Sequence, residues 1–124
     1  MTLRALASLA IFIIVCSMPA RACSLSDFVI KQADWLPGSP LSNLSKVVGE
    51  VTNNCDQAAG VELKFVFRND AGKVTGIIQY WPTRQNIPAH SDYPFVLAGL
   101  SGEGAKTMQS SVSDVRKWEP SDLE

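Results

Sequence analysis

The stretch Val61-Glu62-Leu63-Lys64-Phe65-Val66-Phe67-Arg68 sets an apolar side chain at Val61, Leu63, Phe65 and Phe67, with charge at Glu62, Lys64 and Arg68 between them. Successive side chains of an extended chain point to opposite faces, so this segment is a strand with one face to cover and one in water. The cover has to come from other strands, because no useful window shows the i, i+3, i+4, i+7 stripe of an amphipathic helix.

Turn residues and further alternation mark those strands. Asn69-Asp70-Ala71-Gly72 supplies side-chain oxygens that bond their own backbone and a glycine that accepts positive φ, so residues 61–68 and 73–81 are predicted to form a hairpin. Residues 46–53 read as a strand with Val47 and Val51 inward and Glu50 and Thr52 outward, and residues 28–33 as a shorter one. Trp35 to Asn43 holds Pro37, Gly38 and Pro40 and reads as a loop. Pro82 ends the second hairpin strand, and Ile87-Pro88-Ala89-His90 makes a corner. Tyr93, Phe95 and Leu97 then alternate around Pro94, which has no N–H to donate and so points to an edge strand or to an irregularity at that position. Residues 99–104 are glycine-rich and read as a loop, and residues 107–118 as a last strand whose register the pattern leaves open. The polar tail at 119–124 is expected to fray. Six to seven short strands without a helix, in about 100 residues, predict an all-β antiparallel sandwich of the immunoglobulin-like kind.

The chain opens with Arg4 ahead of an apolar run from Ala5 to Cys16, then Pro19 and the small residues Ala20 and Ala22 before Cys23. That is the plan of a secretory signal peptide cut after Ala22, and the run is shorter than the roughly 20 apolar residues that span a bilayer. Residues 1–22 are therefore expected to be removed, leaving 102 of the 124 residues as one domain over 23–118 with its tail. Arg4 and Arg21 leave with the leader, so Lys plus Arg falls from 11 to 9 against 12 Asp plus Glu, a net charge of −3. With no basic cluster, neither nucleic acid nor anionic lipid is an expected partner.

Cys16 lies in the leader, which leaves Cys23 and Cys55 as an even pair in an oxidising compartment, where a disulfide is the expectation. If the first two strands pair antiparallel with Ala33 opposite Ser45, residue numbers of facing pairs sum to 78, and Cys23 with Cys55 gives 78 as well. A lipid anchor on Cys23 is the alternative, against which Arg21 stands where an apolar or small residue is usual.

Val48-Gly49-Glu50-Val51-Thr52-Asn53-Asn54, then residues 61–67, Gly72-Lys73-Val74, Ile87-Pro88-Ala89 and Phe95 together resemble the FxLYD domain over about residues 27–118. That family carries a Gly-x-Val-x-Asn strand ahead of a Phe-x-Leu-Tyr-Asp strand, a Gly-Lys turn and a Pro-Gly corner. Phe65 matches the Phe of the motif, while Phe67, Arg68 and Asn69 stand at its Leu, Tyr and Asp, and Ala89 stands at the corner glycine. The resemblance implies an immunoglobulin-like sandwich in an exported or envelope protein and brings no catalytic residues.

Reactive groups are few. His90 is the one histidine, and its neighbours Ser91 and Asp92 are too close in sequence to converge on it as a triad, so no enzyme is expected. His90, Asp92, Cys23, Cys55 and Met108 lack metal-ligand spacing, and no metal or cofactor is expected. Residues 99–107 lack the Gly-Lys adjacency and the following helix of a phosphate loop. Asn43-Leu44-Ser45 fits a glycosylation sequon, which matters only in a eukaryotic secretory pathway. The surplus lies in the aromatics. Tyr80 and Trp81 are neighbours on a strand and cannot both enter the core, while Trp35 and Trp118 either add to an exposed surface or plug the ends of the sandwich. Trp35, Tyr80, Trp81 and Trp118 are the candidate binding surface, for a protein of the envelope or extracellular space or, alternatively, for carbohydrate stacked on Trp81 or Trp35.

Overall fold

A computed structural model describes residues 11, 13, 14, 21–38, 44–101 and 104–123. The sequon Asn43, the loop proline Pro40 and most of the leader lie outside the described residues. Ile11, Ile13 and Ile14 are exposed and take no part in the core.

Six strands are formed: β1 (Phe28–Leu36), β2 (Leu44–Asn53), β3 (Gly60–Arg68), β4 (Val74–Tyr80), β5 (Ser91–Ser101) and β6 (Thr107–Arg116). They make two antiparallel three-stranded sheets in the orders β1-β2-β5 and β4-β3-β6. The chain thus folds as an all-β sandwich, with the first, second and fifth strands in one sheet and the third, fourth and sixth in the other. The core is the interface of the two inner faces: Val47 and Val51 from β2, Val61, Leu63, Phe65 and Phe67 from β3, and Phe28, Phe95 and Leu100 from the flanking strands. The predicted 69–72 turn closes the β3–β4 hairpin, with Asn69 Oδ1 accepting from the N–H groups of Ala71 and Lys73 at 3.0 Å each and Gly72 at φ 78°.

The two central strands keep strict alternation, and all four flanking strands break it once. Lys31 is the extra residue of β1, so Phe28 and Ile30 point inward before it and Ala33 and Trp35 after it. Ser113 plays the same part in β6, where Met108 and Val112 face the core on one side of the bulge and Val115 on the other. In β5 the shift lies between Leu97 and Leu100, where Gly99 sits at φ 73°, and in β4 it falls at Thr75. A bulge adds one residue to one strand and exchanges the two faces beyond it. Pro94 lies on β5, an edge strand, as its missing N–H requires.

Two expectations are corrected by these shifts. Trp35 is not a loop residue; β1 runs on to Leu36, because the Lys31 bulge turns Trp35 into the core, where its ring meets Phe67 edge-on at 5.3 Å and its N–H donates to Ser45 Oγ at 2.8 Å. Ala33 pairs with Gly49 rather than Ser45, so the register that placed the two thiols opposite each other is four residues out.

The Cys23–Cys55 disulfide nevertheless forms, with its Cα atoms 5.7 Å apart. The ladder stops at Phe28 opposite Asn53, leaving five residues from Cys23 to Asp27 to meet two, Asn54 and Cys55. A 3-10 turn at Leu25–Asp27 takes up the excess length. Ser24 N–H donates to Asp27 Oδ2 at 2.7 Å, and Asn54 N–H reaches Asp27 C=O at 2.7 Å. The C-terminal tail is likewise ordered into a 3-10 turn, Pro120–Leu123, tied by Arg116 to Asp122 at 3.3 Å.

Candidate functional site

The four candidate aromatics divide between the core and the outer face of the second sheet. Trp35 and Tyr80 belong to the core layer: Tyr80 lies 6.4 Å from Phe95, and its hydroxyl reaches the Val96 carbonyl at 3.4 Å, bridging the two sheets. Burial pushes the Tyr80 phenol above its ordinary pKa. Trp81 and Trp118 pack on each other instead, edge to face at 5.2 Å, and neither belongs to the core cluster.

Parity explains their meeting place. Glu62, Lys64, Val66 and Arg68 line the outer face of β3, and Gly60 is on that same face. The Trp118 indole lies directly over Gly60, where a Cβ would stand 2.2 Å from Nε1. Only glycine leaves room for the ring there. Asn86 clamps the same residue, accepting from Trp118 N–H at 2.7 Å and donating to its carbonyl at 2.9 Å. The Arg116 guanidinium stacks on the Trp118 ring 4.3 Å from its centroid, a cation–π contact. Trp118 Nε1 is buried and has no acceptor among the described residues. Trp81, Trp118 and Arg116 therefore form one aromatic and cationic cluster at the end of the outer face that lies nearest the disulfide.

Further along that face, Glu62 accepts from Ser113 Oγ at 2.9 Å and from Gln79 Nε2 at 3.4 Å. Val66 is paired with Ile77, which is 57% exposed, and Val74 is exposed at the start of β4. At the opposite end of the sandwich a cleft of about 140 Å³ opens between β4 and the end of β5, lined by Phe67, Ile78, Leu100 and Ala105.

The other sequence candidates take separate structural partners. His90 occupies the left-handed region at φ 55°, and its Nε2 lies 2.8 Å from Asp56 Oδ1 at the exposed corner. Ser91 Oγ donates to the Pro88 carbonyl at 2.6 Å, and Asp92 turns to Thr52 and Lys31. The three adjacent side chains thus take separate partners and do not converge. No group of three or more His, Cys, Asp or Glu side chains suited to a metal occurs among the described residues. Gly99 lies within β5, which runs on to Ser101 where a loop from residue 99 is expected, and Gly104 lies in the connection that leads into strand β6.

On the outer face of the first sheet, Lys31 bridges Asp92 at 3.1 Å and Glu50 at 3.3 Å. Asp92 is held below the ordinary aspartate range by the Thr52 hydroxyl first and by Lys31 second, and Lys31 is raised by its bond to Asp92. A carboxylate whose pKa is depressed on folding adds stability above its unfolded value, near 3.9, and that contribution is lost as pH falls through the folded value. Asp92→Asn is therefore expected to leave less of the stability lost between about pH 5 and pH 2 in a urea titration. Equal acid sensitivity in the two proteins would remove Asp92 from the account.

Sequence reasoning missed Gly60, Asn86 and Ser45. Ser45 is buried between Trp35 Nε1 and the Leu100 carbonyl, which it reaches at 3.2 Å. None of the three carries a local signal, since each acts through a partner at least ten residues away.

Compared with family models and with curated proteins, the sequence matches none. Among solved structures, one described as "X-ray structure of Northeast Structural Genomics Consortium target SoR45" is similar at a TM-score of 0.42 and 15% identity, over 77% of this chain and 89% of that one. Among the described residues no helix is long and apolar enough to cross a membrane.

Proposed function

We propose that this chain is an exported, non-catalytic module of the FxLYD type that binds another protein of the envelope or extracellular space through the outer face of its second sheet. The observation that carries the reading is the Trp81–Trp118–Arg116 cluster, held on that face outside the core. Trp and Arg are the residues on which protein interfaces most often depend, and a rigid aromatic costs little entropy to bury. The signal-peptide pattern of residues 1–22 and the Cys23–Cys55 disulfide support export.

Carbohydrate binding is the competing reading. A sugar stacks on an open ring face, whereas here the two indoles meet edge to face and Arg116 covers Trp118. A photo-crosslinking residue in place of Trp81 is expected to join the chain to a protein in native envelope, while titration with a panel of oligosaccharides leaves tryptophan fluorescence unchanged. Saturable quenching by a sugar, absent in Trp81→Ala, would overturn the proposal in favour of the carbohydrate reading.

A further inference from the structure

Three residues at the end of the outer face bound a hollow, and each is anchored independently of what fills it. Gly60 and Asn86 adjoin the buried pair Ala59 and Ile87, which exchange both backbone hydrogen bonds at 3.2 and 2.9 Å. Trp81 follows Tyr80, the last residue of β4, whose ladder partner Leu63 is fully buried. The occupant is Trp118, the one residue of 117–123 that is not exposed. The bonds of Glu119 and Asp122 run to each other or to Arg116 at the end of β6. Past β6, the segment's hydrogen bonds to the rest of the domain are therefore those of Trp118.

What the hollow recognises is not peculiar to that residue. Asn86 bonds only the backbone N–H and C=O of Trp118, at 2.7 and 2.9 Å. The two groups of one residue point the same way in an extended chain, so the Asn86 amide can grip any extended residue except proline. The space over Gly60 admits a flat ring because no Cβ stands there: the three atoms nearest to such a Cβ all belong to the Trp118 indole. The edge of Trp81 and the Arg116 guanidinium close the slot. Trp118 fits it poorly in one respect. Its Nε1 lies buried against Gly60 without an acceptor among the described residues, and an indole N–H can only donate. A phenylalanine ring would leave no donor unpaired at that point.

We propose that the hollow between Gly60, Trp81 and Asn86 is a receptor for an extended segment of the partner that carries a phenylalanine, and that Trp118 is an internal stand-in which the partner displaces. This rests on the protein-binding reading above and names the chemistry of the partner. Arg116 stays on β6 when the segment leaves, so its guanidinium is released from Asp122 and remains to cover the incoming ring. Attachment to the same chain gives Trp118 a high effective concentration, which keeps the hollow shut against loosely fitting peptides.

Trp118→Gly in the disulfide-bonded mature chain empties the hollow. The probe is a dye-labelled synthetic peptide of residues 117–123, made with its native sequence, as Trp118→Phe and as Trp118→Ala, and followed by fluorescence anisotropy. The native and Trp118→Phe peptides are expected to bind the emptied chain, the second at least as tightly as the first, and the Trp118→Ala peptide not to bind. The intact chain is expected to bind them weaker by roughly tenfold or more, because its own Trp118 competes. Gly60→Ala and Asn86→Ala, each added to the emptied chain, are expected to leave the circular dichroism unchanged and to weaken the Trp118→Phe peptide by roughly tenfold. In the intact chain a saturating amount of that peptide should move the indole N–H resonance of Trp118 to a solvent-exchanging position. Any of four results overturns the proposal: no binding to the emptied chain, binding indifferent to Gly60→Ala and Asn86→Ala, a Trp118→Phe peptide weaker than the native one, or a Trp118 resonance that stays in place. Crosslinking at position 81 to an envelope protein can succeed with Trp118 seated, so the wider reading stands or fails separately.

Discussion

Replacing both Cys23 and Cys55 by serine is expected to destabilise the oxidised domain by about 3 to 4 kcal/mol, the chain-entropy estimate for a closed loop spanning a sequence separation of 32. For a domain near 100 residues that lowers the midpoint of thermal unfolding by roughly 15 °C or more, against a total stability of about 5 to 15 kcal/mol. The bond has this leverage because of where it sits. The β1–β2 ladder ends at Phe28 and Asn53, and beyond it the Leu25–Asp27 turn, the Asn54 to Asp27 backbone bond and the disulfide hold the first segment against the sandwich. Asp27 adds to this, its carboxyl held below the ordinary range chiefly by the Ser24 backbone N–H. The double variant compared with wild type by scanning calorimetry at one pH checks the estimate. A loss below 1 kcal/mol would mean that the reduced chain already keeps these ends together.

How much of this was legible in the sequence depends on whether a strand is central or flanking. β2 and β3 alternate without interruption, so their inward sets, Val47 and Val51 on one and Val61 to Phe67 on the other, follow from period two alone. Each flanking strand contains one residue that shifts the phase, and an interrupted alternation reads as a shorter strand or as none. Lys31 hid the last three residues of β1 and sent Trp35 to a loop in the sequence reading; Ser113 hid the register of β6. The site suffered from the same cause. Tyr80 and Trp81 were separable by parity, but nothing local reveals that a chain bulged at Ser113 returns Trp118 to the face of Trp81, over the one residue, Gly60, that leaves it space.

The Gly-x-Val-x-Asn pattern of β2 was visible as a resemblance before its physics was. Gly49 is where the β1 bulge brings the Gln32 carbonyl across the strand: a Cβ there would stand 2.1 Å from that oxygen and 2.6 Å from the Phe95 ring. Val51 fills the middle of the core. Asn53 closes the strand with a fully buried polar side chain, and that cost is offset only if its bonds are made.

Asn53→Leu is the substitution that measures those bonds. The Asn53 amide donates to the Ile87 carbonyl at 2.9 Å, to Gln57 C=O at 3.0 Å and to Pro88 C=O at 3.3 Å, while its Oδ1 accepts from Cys55 N–H at 2.8 Å. One side chain therefore joins the segment holding Cys55 to the corner before β5, the two connections that the Ala59–Ile87 bridge also brings together. Leucine keeps the number and branching of the side-chain heavy atoms, so the core loses little packing; what is left is the Cys55 N–H without its acceptor and the Gln57 carbonyl without the amide, while the Ile87 and Pro88 carbonyls keep the Ala59 N–H and the Ser91 hydroxyl. At about 1 to 3 kcal/mol for each buried group left unpaired, and with partial relief from water, the expected loss is roughly 3 kcal/mol. Asn53→Asp discriminates the cause, because it keeps the acceptor for Cys55 while setting a carboxylate against three carbonyl oxygens, and it should be no more stable than the leucine variant at pH 7. The two are compared by urea unfolding with the disulfide intact. If the aspartate variant retains wild-type stability at that pH, the amide's donation to the three carbonyls is not what holds the corner to the sheet.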